Sequence, residues 1–265
     1  MTPRILIIAG SDSGGGAGIQ ADIKTVTMLG GHAMTAITAI TAQNTLGVER
    51  VETLSAAFVV QQMASVVEDI GVDAIKIGML GNHDISDAVA NAVASGLYAA
   101  PMVFDPVMVA TSGATLADTR TIESMDRLAR MSRLVTPNLP ELAVLCGREI
   151  IDDDHAEAEA RGYAGRVGTA VLVKGGHREG PWVTDKLIDA DGSVISWTDQ
   201  RIETKDTHGT GCTLASAIAV GLGNGLSLAD AIARARRFVR AALLAAPGFG
   251  GGHGPMGHQA LRNFD

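Results

Sequence analysis

Basic residues are in the minority in this chain. Its 265 residues include 21 Lys and Arg against 29 Asp and Glu, which gives a formal net charge of −8 at pH 7. A surface that binds nucleic acid needs clustered Lys and Arg to replace the counterions of the phosphates. The composition therefore argues against a nucleic-acid partner, and any anionic ligand must be held by local groups.

Cysteine and long apolar runs are also scarce. The two cysteines, Cys146 and Cys212, lie far apart and do not form the dense pattern of a disulfide-stapled secreted protein. The apolar run Ile5–Ala9 is too short for a signal peptide, and no run of eighteen apolar residues follows it. We therefore expect a soluble, cytoplasmic protein with no membrane partner.

The sequence does contain enough apolar residues for a large core. Hydrophobic residues make up 46% of the chain and charged residues 19%, which is typical of a globular protein. Chains of this length with α/β folds commonly form one domain. We expect residues 1–265 to form a single domain.

Short apolar runs alternate with segments of helical periodicity. The runs predicted as strands are Ile5–Ala9, Ala33–Ile40, Ala74–Ile77, Met102–Phe104, Leu134–Thr136 and Ala170–Val173. The segments predicted as helices are Ala17–Leu29, Ala56–Ile70, Asp84–Ala99, Asp118–Met131, Ala156–Val167, Thr213–Gly223 and Leu228–Ala245. This alternation predicts a doubly wound, mostly parallel sheet with helices on both faces. The stretch Trp182–Trp197, with Asp191-Gly192 at its middle, predicts a small antiparallel hairpin at one edge.

A glycine-rich segment, Ala9–Asp22, joins the first predicted strand to the first predicted helix. In doubly wound sheets, ligands bind beyond the carboxyl ends of the strands, and glycine lets backbone N–H groups approach a ligand closely. The segment lacks the third glycine of a Rossmann fingerprint and the Lys-Ser/Thr of a P-loop. A plain tight turn is the alternative interpretation.

The segment Thr207–Thr213 is the most informative in the chain. Its glycines precede a predicted apolar helix, whose first turn has free N–H groups at the positive end of the helix dipole. Such an anion hole stabilises the charge on a phosphoryl group during its transfer. Because Cys212 lies in that field, we predict that the pKa of its thiol is lowered and that the thiolate accepts the proton of an attacking alcohol. A small buried apolar role is the alternative for Cys212.

Three further strand ends carry polar groups suited to phosphoryl transfer. Asn138 and Glu141 lie three apart and offer oxygen ligands for Mg²⁺, usually through water, or alternatively a helix cap. Lys174 ends a buried strand and is suited to neutralising ATP phosphates, although lysines at strand ends are also common on solvated surfaces. Asp105, before Pro106, either assists the metal through water or forms a turn.

Seven segments together resemble the hydroxymethylpyrimidine kinases of the ribokinase-like superfamily. They are Ala9–Asp22, Thr38–Thr45, Lys76–Leu80, Asp105–Gly113, Thr136–Glu141, Val173–His177 and Thr207–Thr213, and Gly252–Pro255 adds to them. Cys212 stands where most sugar kinases of the superfamily have aspartate. In this feature the sequence resembles the vitamin-kinase branch of the superfamily. The resemblance implies a ribokinase-like, three-layer α/β fold and a homodimer.

The resemblance also implies a reaction. This is the Mg-ATP-dependent phosphorylation of 4-amino-5-hydroxymethyl-2-methylpyrimidine to its monophosphate and then to the diphosphate, which supplies the pyrimidine half of thiamine. Gln43 is implied to recognise the aminopyrimidine, because an amide can accept from the exocyclic amine and donate to the ring nitrogen. The residues implied to help Gln43 are Gly10, Asp22, Met79 and Val107. The implied anion hole is Gly209, Thr210, Gly211 and Cys212, the implied contacts to the ATP phosphates are Lys174, Thr207 and Asp105, and the implied metal shell includes Asn138 and Glu141.

One position departs from the family pattern. Thr111 stands before Ser112-Gly113, where the family commonly has lysine. If that lysine aids the second phosphorylation, its absence weakens the diphosphate activity more than the monophosphate activity. Arg236 and Arg237 are candidates for compensation.

Two other functions compete with this interpretation. A pyridoxine or pyridoxal kinase shares the cysteine-type motif and acts on a similar flat ring, with different substituents where Gln43 would bind. A binding module without catalysis would show damage to Gly209–Cys212 or loss of Lys174, and the sequence shows neither. His253 and His258 lie in a glycine-rich tail without nearby Cys or acidic partners, so we expect a loop there rather than a metal site.

Overall fold

The computed structural model describes residues 1–96, 98–108, 119–177, 180–262 and 264, and a sheet forms its centre. The strands are β1 (Arg4–Asp12), β2 (His32–Asn44), β3 (Gly47–Thr53), β4 (Ala74–Ile77), β5 (Met102–Phe104), β6 (Leu134–Val135), β7 (Ala170–Val173), β8 (Trp182–Ile188) and β9 (Val194–Gln200). Their order across the sheet is β3-β2-β1-β4-β5-β6-β7-β8-β9. The six central strands, β2-β1-β4-β5-β6-β7, run parallel. Strand β3 at one edge and strands β8 and β9 at the other edge pair antiparallel. The predicted mostly parallel sheet and its antiparallel hairpin are confirmed.

Helices cover both faces of this sheet, as predicted. They are α1 (Gly18–Met28), α2 (Ala56–Asp69), α3 (His83–Ala94), α4 (Thr119–Met131), α5 (Leu139–Cys146), α6 (Asp153–Val167), α7 (Thr210–Gly223) and α8 (Leu228–Leu244). Successive side chains of a strand point to opposite faces. Accordingly, Leu6 and Ile8 of β1 pack in the core with α2–α6, whereas Ile5 and Ile7 pack in the core with α1, α7 and α8. The result is a three-layer α/β fold.

Element boundaries follow local signals that move them by a few residues. Helix α7 begins at Thr210, three residues before its predicted start, because Gly209 ends the preceding loop as the N-cap. Helix α6 begins at Asp153, because the Asp152 side chain accepts a hydrogen bond from the His155 N–H at 2.7 Å. Helix α3 ends at Ala94, short of its predicted end, just before Gly96 with a φ of 82°.

Two elements were not predicted from the sequence. Strand β3 carries mostly exposed side chains and forms a second antiparallel edge beside β2. Helix α5 has only eight residues, too few for a periodic pattern to stand out. The predicted helix start at Asp118 and the segment around Thr111 lie outside the described residues. Within the described part of the chain, no helix is long and apolar enough to cross a membrane.

Candidate active site

A cavity of about 640 Å³ opens at the carboxyl ends of the parallel strands. Its lining includes all the residues predicted for the site except Asp22, namely Gly10, Gln43, Met79, Asp105, Val107, Asn138, Glu141, Lys174, Thr207, Gly209, Thr210, Gly211 and Cys212. These residues come from seven places in the chain, at the ends of β1 and β2 and just after β4, β5, β6, β7 and β9. They meet here because the parallel strands all end at the same edge of the sheet.

The first turn of α7 faces this cavity, and a close backbone approach fixes where the helix begins. Gly209 has a φ of 82°, and a Cβ added to it would lie 2.0 Å from the Gly16 carbonyl oxygen. Only glycine fits such a position. The N–H groups of Gly211 and Cys212 then lie in the first turn, where a helix provides no backbone acceptor. The helix dipole adds partial positive charge at the same place.

The prediction of a lowered pKa for the Cys212 thiol is wrong. The thiol is half-buried, and burial raises its pKa to about 11. Lys76 opposes this rise, whereas the carboxylates of Asp22 and Asp105 add to it. The thiol is therefore neutral near pH 7 in this state of the site.

The glycine-rich turn after β1 is a closed structural loop. The Asp12 carboxylate accepts hydrogen bonds from the N–H groups of Gly14 at 2.8 Å, Gly16 at 2.9 Å and Ala17 at 2.8 Å. These N–H groups are therefore committed within the loop and are not free to bind a ligand. The plain-turn alternative describes the stretch from Asp12 to Ala17, whereas Ala9–Asp12, Ala17 and Gly18 of the segment line the cavity.

One end of the cavity combines an amide with apolar surface. Gln43 is anchored through its backbone, because its N–H donates to Ser13 Oγ at 2.8 Å and its carbonyl accepts from the same hydroxyl at 2.7 Å. Its side-chain nitrogen lies 3.1 Å from His208 Nε2. The Met79 methyl covers Gly10 closely, since a Cβ on Gly10 would lie 2.3 Å from it. With Val107, these groups can sandwich a small flat ring and hydrogen-bond to one of its edges.

Lys174 and Asp105 form a buried ion pair in the middle of the cavity. Lys174 Nζ lies 2.8 Å from Asp105 Oδ1, which also accepts from Thr136 Oγ1 at 3.0 Å. Burial lowers the pKa of Lys174, but the carboxylates of Asp105 and Glu141 outweigh it, so the pKa is raised and the amine stays charged. Lys174 is not simply a solvated lysine at a strand end, because only 13% of its side chain is exposed.

Asn138 and Glu141 form a reciprocal helix cap at the start of α5. Glu141 N–H donates to Asn138 Oδ1 at 2.8 Å, and Asn138 N–H donates to Glu141 Oε2 at 2.7 Å. The cap that the sequence left as an alternative is therefore present. Burial raises the pKa of Glu141 to about 7, against the influence of Lys174 Nζ at 3.7 Å. Glu141 still faces the cavity, so the cap and a ligand role are compatible.

Asp22 does not line the cavity. It is fully buried, where its carboxylate accepts from Lys76 Nζ at 2.9 Å and from Ser216 Oγ at 2.7 Å. Lys76 is also fully buried and borders the cavity floor. The proposed contact of Asp22 with a substrate is therefore corrected: this residue holds the Lys76 ammonium in place beneath the site.

The second end of the cavity is mainly apolar and belongs to the hairpin and α8. It is lined by Val183, Ile202, Val239 and Leu243. Arg236 lies beside them, but its guanidinium is bound to Asp185 at 2.7 Å and to Asp199 at 2.9 Å. Arg236 is therefore already neutralised, and Arg237 is exposed outside the cavity lining. Neither arginine presents a spare charge to the site in place of a lysine at position 111.

Lys76, Asp12 and His208 are among the residues of the site that received no role from the sequence. Lys76 carries a signal that was available, since it is a charged residue inside the otherwise apolar strand β4. Asp12 and His208 stood within the recognised motifs without a stated function. Their partners are far apart in sequence, and His208 Nε2 lies 3.0 Å from Asp12 Oδ2 across 196 positions. No local pattern reports such a contact.

The comparison with known proteins agrees with this geometry. The chain matches the family model of phosphomethylpyrimidine kinase over residues 12–257. It is 45% identical over 262 residues to the hydroxymethylpyrimidine/phosphomethylpyrimidine kinase of Rhizobium meliloti, with 97% of each chain covered. It is 44% identical over 262 residues to the thiamine biosynthesis multifunctional protein ThiED of Corynebacterium efficiens, which covers 98% of this chain and 35% of that protein. The chain thus spans about a third of the length of that relative.

The fold is also that of a solved kinase structure. An ADP complex of Bacillus subtilis pyridoxal kinase superposes with a TM-score of 0.90 at 32% identity, over 99% of this chain and 100% of that one. This likeness places the sheet and both helical layers in the ribokinase-like fold. The family match over residues 12–257 includes every residue of the cavity lining except Ala9, Gly10 and Ser11, which immediately precede it. The chain belongs to the phosphomethylpyrimidine kinase family.

Proposed function

We propose that this protein transfers the γ-phosphoryl group of ATP to 4-amino-5-hydroxymethyl-2-methylpyrimidine, and then to the resulting monophosphate, with Mg²⁺ as the metal. One observation carries the proposal. A single cavity joins an amide-lined apolar end to a second apolar end, and the first turn of α7 and Lys174 lie between the two. This is the arrangement that a transfer between two bound molecules requires.

The two ends of the cavity suit the two substrates. The pyrimidine fits between Met79 and Val107, with Gln43 at its edge. The base of the nucleotide fits the apolar end lined by Val183, Val239 and Leu243. The phosphates then extend toward Gly211 from one side and the hydroxymethyl group approaches from the other.

Positive charge stabilises the transferred group in this arrangement. The first-turn N–H groups of Gly211 and Cys212 and the Lys174 ammonium surround the position between the two substrates. A Cβ on Gly211 would lie only 3.2 Å from Lys174 Nζ, so the N–H groups and the ammonium act on the same small volume. In a loose transition state most of the charge is on the phosphoryl oxygens, which is where these groups act.

Cys212 contacts the reacting hydroxyl in this proposal, with a restricted role as a base. A thiol with a pKa of about 11 must lose its own proton before it can accept another. At pH 7 this costs on the order of 5 kcal/mol. Only the minor thiolate form can therefore deprotonate the alcohol. The monophosphate is already anionic and needs positioning alone, so the two steps differ in their dependence on Cys212.

The residues present fit a magnesium ion that is held mainly by phosphate oxygens. Asp105, Asn138 and Glu141 offer oxygen atoms, which is the donor chemistry that Mg²⁺ prefers. Because Lys174 Nζ already lies between the two carboxylates, these side chains would hold the ion through water. A pKa of about 7 leaves Glu141 ready to ionise beside an added cation. When bound, the ion would neutralise part of the phosphate charge.

We also propose that residues 1–265 form one domain and that the protein is a homodimer. The first proposal is supported by the one sheet that joins strands from Arg4 to Gln200, with α7 and α8 packed on it. The second is supported by the family resemblance. Light scattering of the purified protein measures the mass, and the mass of one chain would contradict the dimer.

A substrate panel tests the function. Purified protein is incubated with Mg-ATP and, in parallel, with the hydroxymethylpyrimidine, its monophosphate and pyridoxal, and mass spectrometry follows the products. Conversion of the pyrimidine through the monophosphate to the diphosphate is expected. Arrest at the monophosphate would indicate that Thr111 matters for the second step. No turnover of either pyrimidine would contradict the proposal.

A pyridoxal kinase is the second candidate, and the likeness to the Bacillus subtilis enzyme favours it. Pyridoxal also carries a hydroxymethyl group on a flat ring, but it has no amino group beside a ring nitrogen. The Gln43 amide would then face a ring edge without the matching amine, and a polar group left unpaired against a bound ligand weakens binding. Turnover of pyridoxal alone in the same panel would establish this candidate instead.

A further inference from the structure

The side chain of Gln43 lies between two polar neighbours that decide which way its amide points. Gln43 Nε2 lies 3.1 Å from His208 Nε2, and Gln43 Oε1 lies 3.3 Å from Thr41 Oγ1. An amide carries a donor nitrogen and an acceptor oxygen that exchange places on a half-turn about the terminal bond. The hydrogen-bonding capacity of each neighbour therefore determines the orientation.

His208 Nε2 directs its one hydrogen to Asp12 and has no lone pair with which to accept from Gln43. Its Nε2 lies 3.0 Å from Asp12 Oδ2, a carboxylate oxygen that also accepts from two backbone N–H groups. Burial raises the pKa of Asp12, but its bonds from His208 and the backbone outweigh this, so the pKa is lowered and the group is a carboxylate. A bare ring nitrogen at this distance from a carboxylate would be repelled, so Nε2 carries hydrogen in either charge state of the ring. An amide nitrogen 3.1 Å away would then set a donor against a donor.

Thr41 faces Gln43 as an acceptor, on independent evidence. Its hydroxyl has a single hydrogen, and Thr41 Oγ1 donates it to the Ser11 carbonyl at 2.8 Å. The longer contact of 3.3 Å to Gln43 can then be filled only by an N–H group of the amide. An amide oxygen at this place would set an acceptor against an acceptor.

We infer that the Gln43 amide is turned so that its oxygen faces His208 and its nitrogen faces Thr41, and that His208 is the positioning residue that sets this orientation. The imidazole is closely packed. A Cβ on Gly16 would lie 2.4 Å from His208 Cδ2, so the ring packs directly on the glycine-rich loop. The His208 backbone is tied to the tail, because its N–H donates to the Gly254 carbonyl at 3.1 Å.

This orientation selects one kind of ring edge. The amide offers an acceptor on the His208 side of the cavity and a donor on the Thr41 side. A 4-aminopyrimidine matches it with the amine toward His208 and the ring nitrogen toward Thr41. The 4-oxo analogue has an acceptor and a ring N–H in the same places, so both of its contacts are mismatched. This selectivity rests on the proposed function, because it assumes that Gln43 binds the ring.

Two variants of His208 test the inference through substrate discrimination. We expect the wild-type protein to prefer the 4-amino ring over its 4-oxo analogue by on the order of 10⁴-fold in kcat/KM, as for sites that hydrogen-bond a substrate group. His208→Leu removes one of the two contacts that fix the amide and leaves only the longer one to Thr41, so the preference should fall about tenfold, as for the loss of one hydrogen bond. His208→Gln retains a donor toward Asp12 and Gln43, so its preference should stay within about threefold of wild type. KM for ATP should be similar in all three proteins.

A measurement without ligand keeps the inference separate from the proposed function. Two-bond ¹H–¹⁵N NMR spectra of the unliganded protein report whether a given ring nitrogen of His208 carries hydrogen. Hydrogen on Nε2 supports the inference even if the pyrimidine is not a substrate. A bare Nε2 would overturn it, and so would equal discrimination by the wild-type and His208→Leu proteins with both pyrimidines turned over. Failure of the wild-type protein to bind any pyrimidine would overturn the proposed function alone.

Discussion

Lys174 Nζ, 2.8 Å from Asp105 Oδ1, lies directly against Gly211 in the first turn of α7. A Cβ on Gly211 would lie 3.2 Å from this nitrogen and 3.5 Å from Asp105 Oδ2. The cation that neutralises phosphate and the N–H groups of the anion hole are therefore packed against each other. Their relative position depends on the absence of one methyl group.

The two glycines of the anion hole should differ in their roles: Gly209 is required for stability and Gly211 for activity. Gly209→Ala places a side chain at positive φ and against the Gly16 carbonyl, so we expect a loss of at least roughly 1–3 kcal/mol of stability. Gly211→Ala is helical and should fold normally, but it displaces Lys174 and should lower kcat about tenfold or more. Urea denaturation and steady-state kinetics measure the two effects.

A glycine elsewhere in a helix provides the matched control. Gly165 lies within α6, and nothing lies within 4 Å of a Cβ added to it. Gly165→Ala should therefore leave activity unchanged and raise stability by about 0.5–1 kcal/mol, the usual gain in a helix interior. Full activity in Gly211→Ala would contradict the packing argument for Lys174.

The Cys212 thiol should react slowly in the free protein. With a pKa of about 11, roughly 10⁻⁴ of it is thiolate at pH 7, about a hundredfold less than for an ordinary cysteine. We expect its alkylation by iodoacetamide to be slower by about this factor than that of a cysteine peptide, and to rise tenfold per pH unit up to pH 10. Mass spectrometry of the peptide that contains Cys212 measures the rate separately from Cys146.

A variant without the thiol tests the role of Cys212 in catalysis. Cys212→Ala should lower turnover with the alcohol more than turnover with the monophosphate, because only the alcohol must lose a proton. Equal losses with both substrates would exclude a base role. Fast alkylation at pH 7 would show instead that the pKa is lowered and that the dipole of α7 outweighs burial.

Asp22 should matter for stability and little for substrate affinity. Asp22→Asn leaves the Lys76 ammonium buried without its counter-charge, which typically costs about 3–5 kcal/mol. We expect that loss in urea denaturation, with KM for the pyrimidine changed less than about threefold, since Asp22 lies beneath the cavity. Gln43→Ala should behave oppositely, with pyrimidine affinity reduced by about 1–3 kcal/mol and stability nearly unchanged.

A second change checks that the Asp22 effect is electrostatic. Adding Lys76→Met to Asp22→Asn removes the unpaired charge and should recover most of the lost stability. If the double variant is as unstable as Asp22→Asn, the ion pair is not the cause. A large rise in KM for the pyrimidine in Asp22→Asn, with the fold intact, would show instead that Asp22 contributes to substrate binding.

His258 should make the protein less stable in mild acid. It is fully buried with Nε2 2.8 Å from Thr213 Oγ1, and burial lowers its pKa to about 4. Between the ordinary value near 6.5 and about 4, the unfolded chain binds a proton that the folded protein excludes, so stability falls as the pH falls through this window. Over this whole window, the free energy of unfolding falls by about 3 kcal/mol because of His258.

The pH dependence of His258 is isolated by a difference between two proteins. His258→Gln keeps a hydrogen-bonding group toward Thr213 but does not titrate. We expect the free energy of unfolding of the wild-type protein to decline by about 3 kcal/mol more than that of His258→Gln between pH 7 and pH 4. Parallel curves for the two proteins would mean that His258 is accessible to protons in the fold.

Much of the fold could be read from the sequence because buried strands are continuous apolar runs. Ala74–Ile77, Met102–Phe104 and Ala170–Val173 were predicted with the bounds that the structure shows, since parallel strands are covered on both faces. Strand β3 was missed because it is an edge strand with mostly exposed side chains, so no hydrophobic pattern marks it. Most of the cavity lining followed from the rule that parallel strands end together.

Tertiary structure alone decided the chemistry of the individual groups. The sequence places Cys212 at a helix N-terminus, but only the packing around it shows that desolvation dominates its pKa. Asp22 and Ser216 meet across 194 positions, so the sequence could not show that this aspartate supports Lys76 beneath the cavity. Local patterns determine which residues reach the ends of strands and helices. Protonation and hydrogen-bond direction depend on solvent exclusion and on distances between remote segments, which exist only in the folded protein.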